Sequence, residues 1–373
     1  MKLLIDSRSI NLHSGSGIGT YTKNLVSNLL DIDKNDNFNL IWTGNELDEY
    51  NRSNVDITHI SGRYGGFYEA YYIPNLIKNK EIELYHIPQN GIGFPFDYNL
   101  NVVVTIHDLI PFIMPETVGI GYLNRFLKDM PKIIEYTKGI ITVSEFSKRD
   151  ILRFFPSFPE EKIFVTPLAT NTQYKPLSKN HCKKYLKENY QIEGPYILYV
   201  GGFSKRKNVK ALITSFASIH KDLKKPHKLL IAGSLRDEGE LLKTLVNSLG
   251  LQDTIIFTGY LPDEVLPIFY SGSEAFVYPS LYEGFGLPPL EAMSCRTPVI
   301  TSNLTSIPEV TSDSALLIDP LNSDELEYSL LKLLNDESLK EEFREKGYKK
   351  SLQFSWTKTA QKTIEAYNSL VNI

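Results

Sequence analysis

Short apolar runs rich in Val, Ile and Leu alternate along this chain with longer stretches of helical period, and the alternation occurs as two series. Apolar runs with β-branching mark strands buried on both faces, and strands that alternate with helices pair in parallel through βαβ crossovers. The first series is Leu3 to Asp6, Asn39 to Thr43, Leu84 to Ile87, Val102 to Ile106 and Ile140 to Val143, with helices expected to begin near Thr20, Tyr68, Gly121 and Glu145. The second is Tyr196 to Val200, Lys228 to Ala232, Thr254 to Phe257, Ala275 to Tyr278, Pro298 to Thr301 and Ala315 to Ile318. Between them, Thr166 to Pro176 is polar and punctuated by proline, which reads as a linker. At 373 residues the chain is long for one core. The expectation is an α/β protein of two doubly wound domains, 1–170 and 195–354, with a linker region over 171–194. Helical patterns follow over Ser323 to Asn335, Ser338 to Ser351 and Thr357 to Val371. Such sheets bind ligands beyond the carboxyl ends of their strands, so a site is expected in a cleft that the two domains share.

Charge and composition narrow the partners. The net charge of −4 gives no bulk attraction to nucleic acid, so any grip on an anion must be local. Cys182 and Cys295 are the only cysteines and form neither a disulfide framework nor a zinc spacing, which fits a reducing cytoplasm. Met1 to Asp6 reads as a strand and not a signal peptide, and no apolar run approaches the roughly 20 residues that span a bilayer. Tyr122 to Lys138 mixes Arg125, Lys128, Lys132 and Lys138 with large apolar groups and is interrupted by Pro131. It reads either as a packed surface helix or as a peripheral contact with the inner face of a membrane. Asp31-Ile-Asp33 has a metal-diphosphate spacing but follows a helical pattern and precedes a polar stretch, so it reads as a solvated helix end. No metal is expected.

The densest chemistry is Glu283-Gly-Phe-Gly-Leu-Pro-Pro-Leu-Glu291, directly after an apolar strand. Pro288 and Pro289 suit the first helical positions, so the amides of Gly284, Phe285, Gly286 and Leu287 are expected to lie unpaired at a helix N-terminus, an anion site. Glu291 sits about one turn into that helix, and helical side chains lean back toward the start. A carboxylate there repels phosphate and suits a neutral diol such as a ribose, while Glu283 at the other lip suits a second polyol. Phosphate flanked by two polyols describes a nucleotide-diphosphate sugar.

Further stretches lie at strand ends. Gly201-Gly-Phe-Ser-Lys-Arg-Lys-Asn208 places Lys205, Arg206 and Lys207 where they can neutralise a leaving diphosphate. Val102-Val-Val-Thr-Ile-His-Asp-Leu-Ile-Pro111 reads as a buried strand that delivers His107 to an edge, with Asp108 fixing loop backbone or His107, or acting as an acceptor. Ser14-Gly-Ser-Gly-Ile-Gly-Thr-Tyr21 follows the first strand and opens a helix, so Gly15, Gly17, Ile18 and Gly19 form a candidate phosphate or acceptor loop, without the spacing of a Walker or dinucleotide motif. His86-Ile-Pro-Gln-Asn-Gly91 ends another strand, and His86 and Asn90 are candidates for the acceptor side. His13, His59, His181, His220 and His227 show no ligand spacing and read as structural or solvated.

Taken with these motifs, the Glu, seven residues, Glu signature resembles the retaining glycosyltransferases of family 4, and the resemblance spans almost the whole chain. It implies the GT-B fold, two Rossmann-like domains with a C-terminal helix, here 355–373, crossing back to the first. It implies that Glu291 binds the donor ribose, Glu283 and His107 touch the transferred sugar, the glycine amides meet sugar and phosphate, and Lys207 contacts the diphosphate. Many members carry an arginine where this chain has Gly201 or Gly202, and Arg206 is the candidate replacement. Gly-Ile-Gly-Thr-Tyr, His-Asp-Leu-Ile-Pro and Val-Ser-Glu-Phe-Ser-Lys look most like bacterial mannosyltransferases that use GDP-mannose, with a saccharide or lipid-linked saccharide as acceptor in surface polysaccharide synthesis. The nucleotide sugar is a co-substrate, and no cofactor is implied. A UDP-sugar transferase, a sugar-nucleotide epimerase or phosphorylase of the same fold, and a non-catalytic sugar-nucleotide-binding protein are the alternatives.

Overall fold

The computed structural model describes residues 1–371 other than Ser14, Glu46, Tyr98 and Arg236. Ser14 of the glycine-rich loop and Asn372 and Ile373 of the expected last segment therefore lie outside the described residues. The chain divides into two units, Met1–Leu168 with Ser355–Ile373, and Ala169–Phe354.

The first unit is built on a seven-stranded parallel sheet in the order β3-β2-β1-β4-β5-β6-β7. Its strands are β1 (Lys2–Asp6), β2 (Asn37–Trp42), β3 (Val55–His59), β4 (Leu84–Ile87), β5 (Val102–Ile106), β6 (Gly139–Thr142) and β7 (Ile163–Val165). Central β4 and β5 are buried along their whole length, as strands covered by helices on both faces must be. β3 and β7 escape the sequence reading because they are edge strands. β3 alternates polar and apolar residues, and β7 has only three residues.

The second unit carries a six-stranded parallel sheet in the order β10-β9-β8-β11-β12-β13. Its strands are β8 (Tyr196–Val200), β9 (Lys228–Ala232), β10 (Ile255–Gly259), β11 (Ala275–Tyr278), β12 (Val299–Ser302) and β13 (Leu316–Ile318). The stretch 171–194, expected as a linker, contains the helix Lys179–Tyr190, which buries Cys182 and Leu186 and belongs to this unit. An apolar pair four residues apart on one face of a lysine-rich helix is a weak signal beside the flanking prolines.

Helix Trp356–Val371 returns to the first unit. Its buried residues Trp356, Thr359, Ala360, Thr363, Ala366, Tyr367 and Leu370 recur at helical spacing, and it packs against helix Gly17–Ile32. At its end Leu370 presses on Gly139, where a Cβ would meet the leucine at 2.7 Å, so β6 needs glycine at its first position. Helix Ile120–Tyr136 runs on through Pro131 instead of being interrupted there. The apolar face of Phe126, Met130, Ile133 and Ile134, buried in the core of this unit, offsets the lost backbone hydrogen bond.

Candidate active site

In the second unit, β8 ends in a loop that closes as the tight turn Lys205–Lys207, and β11 ends in the loop Pro279 to Gly286. The two are sewn together. Leu281 donates its amide to the Arg206 carbonyl at 2.8 Å, and Arg206 Nη1 donates to the Tyr282 carbonyl at 2.6 Å. Asn208, at φ +54°, adopts the left-handed conformation that Asn tolerates and starts the next helix.

This lock brings Glu283 among donors. Its Oε1 accepts from Lys207 Nζ at 2.7 Å, Arg206 Nη1 at 2.8 Å, Ser280 Oγ at 2.5 Å and the Tyr278 hydroxyl at 3.0 Å. Lys207 also bonds the Tyr278 hydroxyl and lies over that ring. Burial alone would raise the Glu283 carboxyl, but Lys207 and Arg206 together hold it below the usual range. Two cations face one carboxylate, which leaves one net positive charge at the end of the sheet. Lys205 is exposed and apart from this cluster.

Helix Leu287–Ser294 starts beside it, with Pro288 and Pro289 in its first turn as expected. Gly286 has φ +115°, and a Cβ there would lie 2.7 Å from Ile307 Cδ1, so backbone and packing both require glycine. Among the described residues no hydrogen-bond acceptor is found for the amides of Phe285, Gly286 and Leu287. The Gly284 amide is not counted with them, since that residue has a partner. Ser306 Oγ donates to the carbonyls of Glu283 and Phe285, both at 2.8 Å, and fixes the turn.

Glu291 is placed very differently from Glu283. Desolvation pushes its carboxyl up to about 8, against the hydrogen bonds of Tyr270, at 2.9 Å from Oε2, and Tyr174. Two acids of one motif thus have affinities for protons driven apart, one ionised by cations and one holding its proton near neutrality. Tyr174 and Tyr270 escape the sequence reading, since only the fold brings them to Glu291.

In the first unit, His107 follows β5. Its amide donates to Asn90 Oδ1 at 2.8 Å, and its ring is met edge-on by Tyr21 at 4.6 Å. Nε2 lies 2.9 Å from the Pro88 carbonyl oxygen, an acceptor, so Nε2 carries the proton and Nδ1 is the bare nitrogen. Burial lowers His107 to about 4, which keeps it neutral and able to accept a hydrogen bond at Nδ1. Asp108 accepts from the Ile110 amide at 3.0 Å and fixes loop backbone.

The expectation that His86 lines the acceptor side does not match its position. His86 is 1% exposed, with Nδ1 bonded to the Tyr367 hydroxyl at 2.6 Å and Nε2 to Thr105 Oγ1 at 2.8 Å. Neither ring nitrogen remains for a substrate. Asn90, equally buried and at φ +51°, orients His107 and reaches the Tyr122 hydroxyl at 3.3 Å. In the glycine-rich loop, Ser16 Oγ accepts from the Gly19 amide at 3.2 Å and caps helix Gly17–Ile32. Gly19 is small for packing, because a Cβ would strike the His13 carbonyl; Gly15 and Gly17 are exposed, and Ile18 is half-buried.

Residues 184–350 match the family described as Glycosyl transferases group 1. The chain is 36% identical over 289 residues to O-antigen chain mannosyltransferase B of Escherichia coli, covering 77% of this chain and 74% of that protein. It is 33% identical over 220 residues to O-antigen chain mannosyltransferase RfbU of Salmonella typhimurium, covering 59% and 57%. Serotype-specific mannosyltransferase WbdA of Escherichia coli is 29% identical over 280 residues, 74% of this chain but 34% of the relative. The sucrose-phosphate synthase of Thermosynechococcus elongatus superposes with a TM-score of 0.77 at 19% identity, over 99% of both chains. Anabaena HepE in complex with UDP and glucose does so with a TM-score of 0.76 at 16% identity, also over 99% of both. Two parallel α/β units of this kind, with a helical C-terminus, define the GT-B class. The chain belongs to the group 1 glycosyltransferases and is an enzyme of glycosyl transfer. Among the described residues no helix is long and apolar enough to cross a membrane.

Proposed function

We propose that this enzyme transfers mannose from GDP-mannose to a saccharide or lipid-linked saccharide acceptor in the synthesis of a surface polysaccharide, with retention at the anomeric carbon. The observation that carries the reading is the Lys207, Arg206 and Glu283 cluster beside the start of helix Leu287–Ser294. A net positive pair and open amides suit a diphosphate, and the adjoining carboxylate suits the hydroxyls of a hexose. The mannosyltransferase relatives supply the sugar and the acceptor class.

In this reading Lys207, Arg206 and the amides of Phe285 to Leu287 stabilise charge as it grows on the leaving diphosphate. Glu283 holds the sugar, Glu291 meets the ribose, and His107 Nδ1 accepts a hydrogen bond from a sugar hydroxyl. The acceptor oxygen forms its bond to the anomeric carbon on the face the diphosphate leaves. The broken carbon–oxygen bond leaves its electron pair on the diphosphate, which takes the acceptor proton. Lysine and arginine provide the countercharge that a divalent ion supplies elsewhere, so turnover proceeds without metal.

Peripheral contact with an anionic membrane completes the proposal. Ile120, Tyr122 and Leu127 are exposed on one helix with Arg125 and Lys128, an apolar and basic mixture suited to a headgroup boundary.

The test is product analysis with GDP-mannose, UDP-glucose and GDP-glucose. Transfer from GDP-mannose with an axial anomeric bond by NMR supports the reading. An inverted product, or activity untouched in both Lys207→Ala and Glu283→Ala, overturns it.

A further inference from the structure

At the other end of the second sheet, where the strands begin, a cavity of about 770 Å³ opens in front of β8, β9 and β11. It is reached at Gly194, Pro195 and Tyr196 before and at the start of β8, at His227 before β9, and at Glu274 before β11. Parallel strands separate their two ends, so this cavity is a strand length, roughly 16 Å, from the Lys207 and Glu283 cluster.

Leu186, Ile192, Pro195 and Leu334 supply apolar wall. The charged lining is unbalanced. Seven cations face it against three carboxylates, Glu193, Glu274 and Glu337, in a chain whose overall charge is −4. Glu274 is surrounded, with Lys340 at 2.9 Å, Lys179 at 3.3 Å and Arg344 at 3.6 Å. Lys340 and Arg344 are 6% and 12% exposed and are matched by further carboxylates, Lys340 by Glu337 at 2.6 Å and Arg344 by Glu337 at 3.1 Å and Glu341 at 3.0 Å. Burial lowers the Lys179 ammonium in spite of Glu274, with Arg344 adding to the effect. Above these groups, Lys183, Lys224 and Lys225 are exposed at the edge of the cavity.

A solvated lysine face accounts for mobile ammoniums on a convex surface. It does not account for a concave site with apolar walls in which the buried Lys340 and Arg344 already occupy Glu274 and Glu337, while among the described residues no carboxylate pairs with Lys183, Lys224 or Lys225. We propose that this cavity is a second binding site, for an anion that carries phosphate, with Lys183, Lys224 and Lys225 at the phosphate oxygens and the apolar wall against the attached ring or chain. The volume lies within the range of small-molecule sites. A soluble sugar phosphate or nucleotide and a lipid headgroup share this chemistry.

The experiment is calorimetric titration of the full chain with inorganic pyrophosphate, run on wild type, Lys207→Ala and the double variant Lys183→Glu/Lys225→Glu. Pyrophosphate is expected to bind wild type in two events, at the Lys207 cluster and at this cavity; Lys207→Ala keeps the cavity event, whereas in the double variant that event weakens at least about tenfold, with loss at raised salt. Both altered lysines are exposed, and a double Gln variant with an unchanged melting curve guards against a folding defect. Co-sedimentation with phosphatidylglycerol or phosphatidylcholine vesicles separates the sources: anionic vesicle binding lost in the double variant assigns a headgroup, and unchanged vesicle binding assigns a soluble ligand. Absence of pyrophosphate binding, or binding lost in Lys207→Ala and kept in the double variant, overturns the proposal.

Discussion

Lys207 Nζ lies 2.7 Å from Glu283 Oε1, so the cation that the proposed function sets at the donor phosphates and the carboxylate it sets at the sugar hold each other in place. Such preorganisation means that a single truncation disturbs two functions. Lys207→Ala is expected to lower kcat/KM about 100-fold or more, with Lys207→Arg recovering part, as removal of one charge-stabilising donor does elsewhere. Release of GDP from GDP-mannose measures it. The same assay with excess EDTA should give the wild-type rate; turnover abolished by chelation and restored by a divalent ion would contradict the assigned role of Lys207 and Arg206.

Gly286 carries two constraints at one atom. Gly286→Ala imposes both the φ of +115° and the contact with Ile307 Cδ1 at 2.7 Å. A loss of about 1–3 kcal/mol is expected from the backbone strain alone, with more from the clash. Adding Ile307→Val removes the offending methyl and should restore part of the loss in urea unfolding. A variant as stable as wild type refutes the geometry.

His86 and His107 lie below the ordinary imidazole range, at about 3 and about 4, because burial disfavours the charged ring. Unfolded histidine titrates near 6.5, so their contribution to stability is full above that pH and is lost as pH falls through the folded values. Ring-proton NMR shifts of both should stay flat from about pH 8 to about pH 5. Tyr367→Phe leaves His86 Nδ1 without its partner and should cost about 1–3 kcal/mol at neutral pH. Unfolding by urea reads this directly.

Glu291 has the opposite sense. Its folded value of about 8 stands above the unfolded one, near 4.3, so the protonated form is favoured in the native state. Its contribution is present below the unfolded value and lost as pH rises through about 8. Glu291→Gln keeps an uncharged group at every pH. The melting temperature of the variant relative to wild type should therefore climb between about pH 5 and about pH 8. A constant gap across that window would show that the carboxyl is ionised throughout.

Much of this molecule is legible in the chain because its strands are short apolar runs, whose ends the pattern places to within one or two residues. Ser323–Asn335 begins and ends where the pattern places it, and Pro288, Pro289 and Gly286 announce a helix start by backbone chemistry alone. What stays hidden depends on residues remote in sequence. Nothing near His86 tells that Tyr367, 281 positions away, occupies its ring nitrogen. Nothing near Glu291 tells that burial raises its carboxyl against the hydrogen bonds of two tyrosines. The edge strands β3 and β7 are illegible for a different reason, since an edge needs little apolarity and few residues. Arg206 falls between these cases: its charge is visible, but its grip on the Tyr282 carbonyl is a product of loop closure.

The first unit is completed by a helix made after the second unit has been synthesised. During synthesis, residues 1–168 emerge well before Trp356, Tyr367 and Leu370 exist to cover helix Gly17–Ile32 and β6. A nascent amino-terminal unit must therefore wait with an apolar seam open until the whole intervening unit has left the ribosome. Ribosome-stalled chains cut short of Trp356 should show this seam as chaperone binding, whereas the intervening unit is free to fold in the meantime.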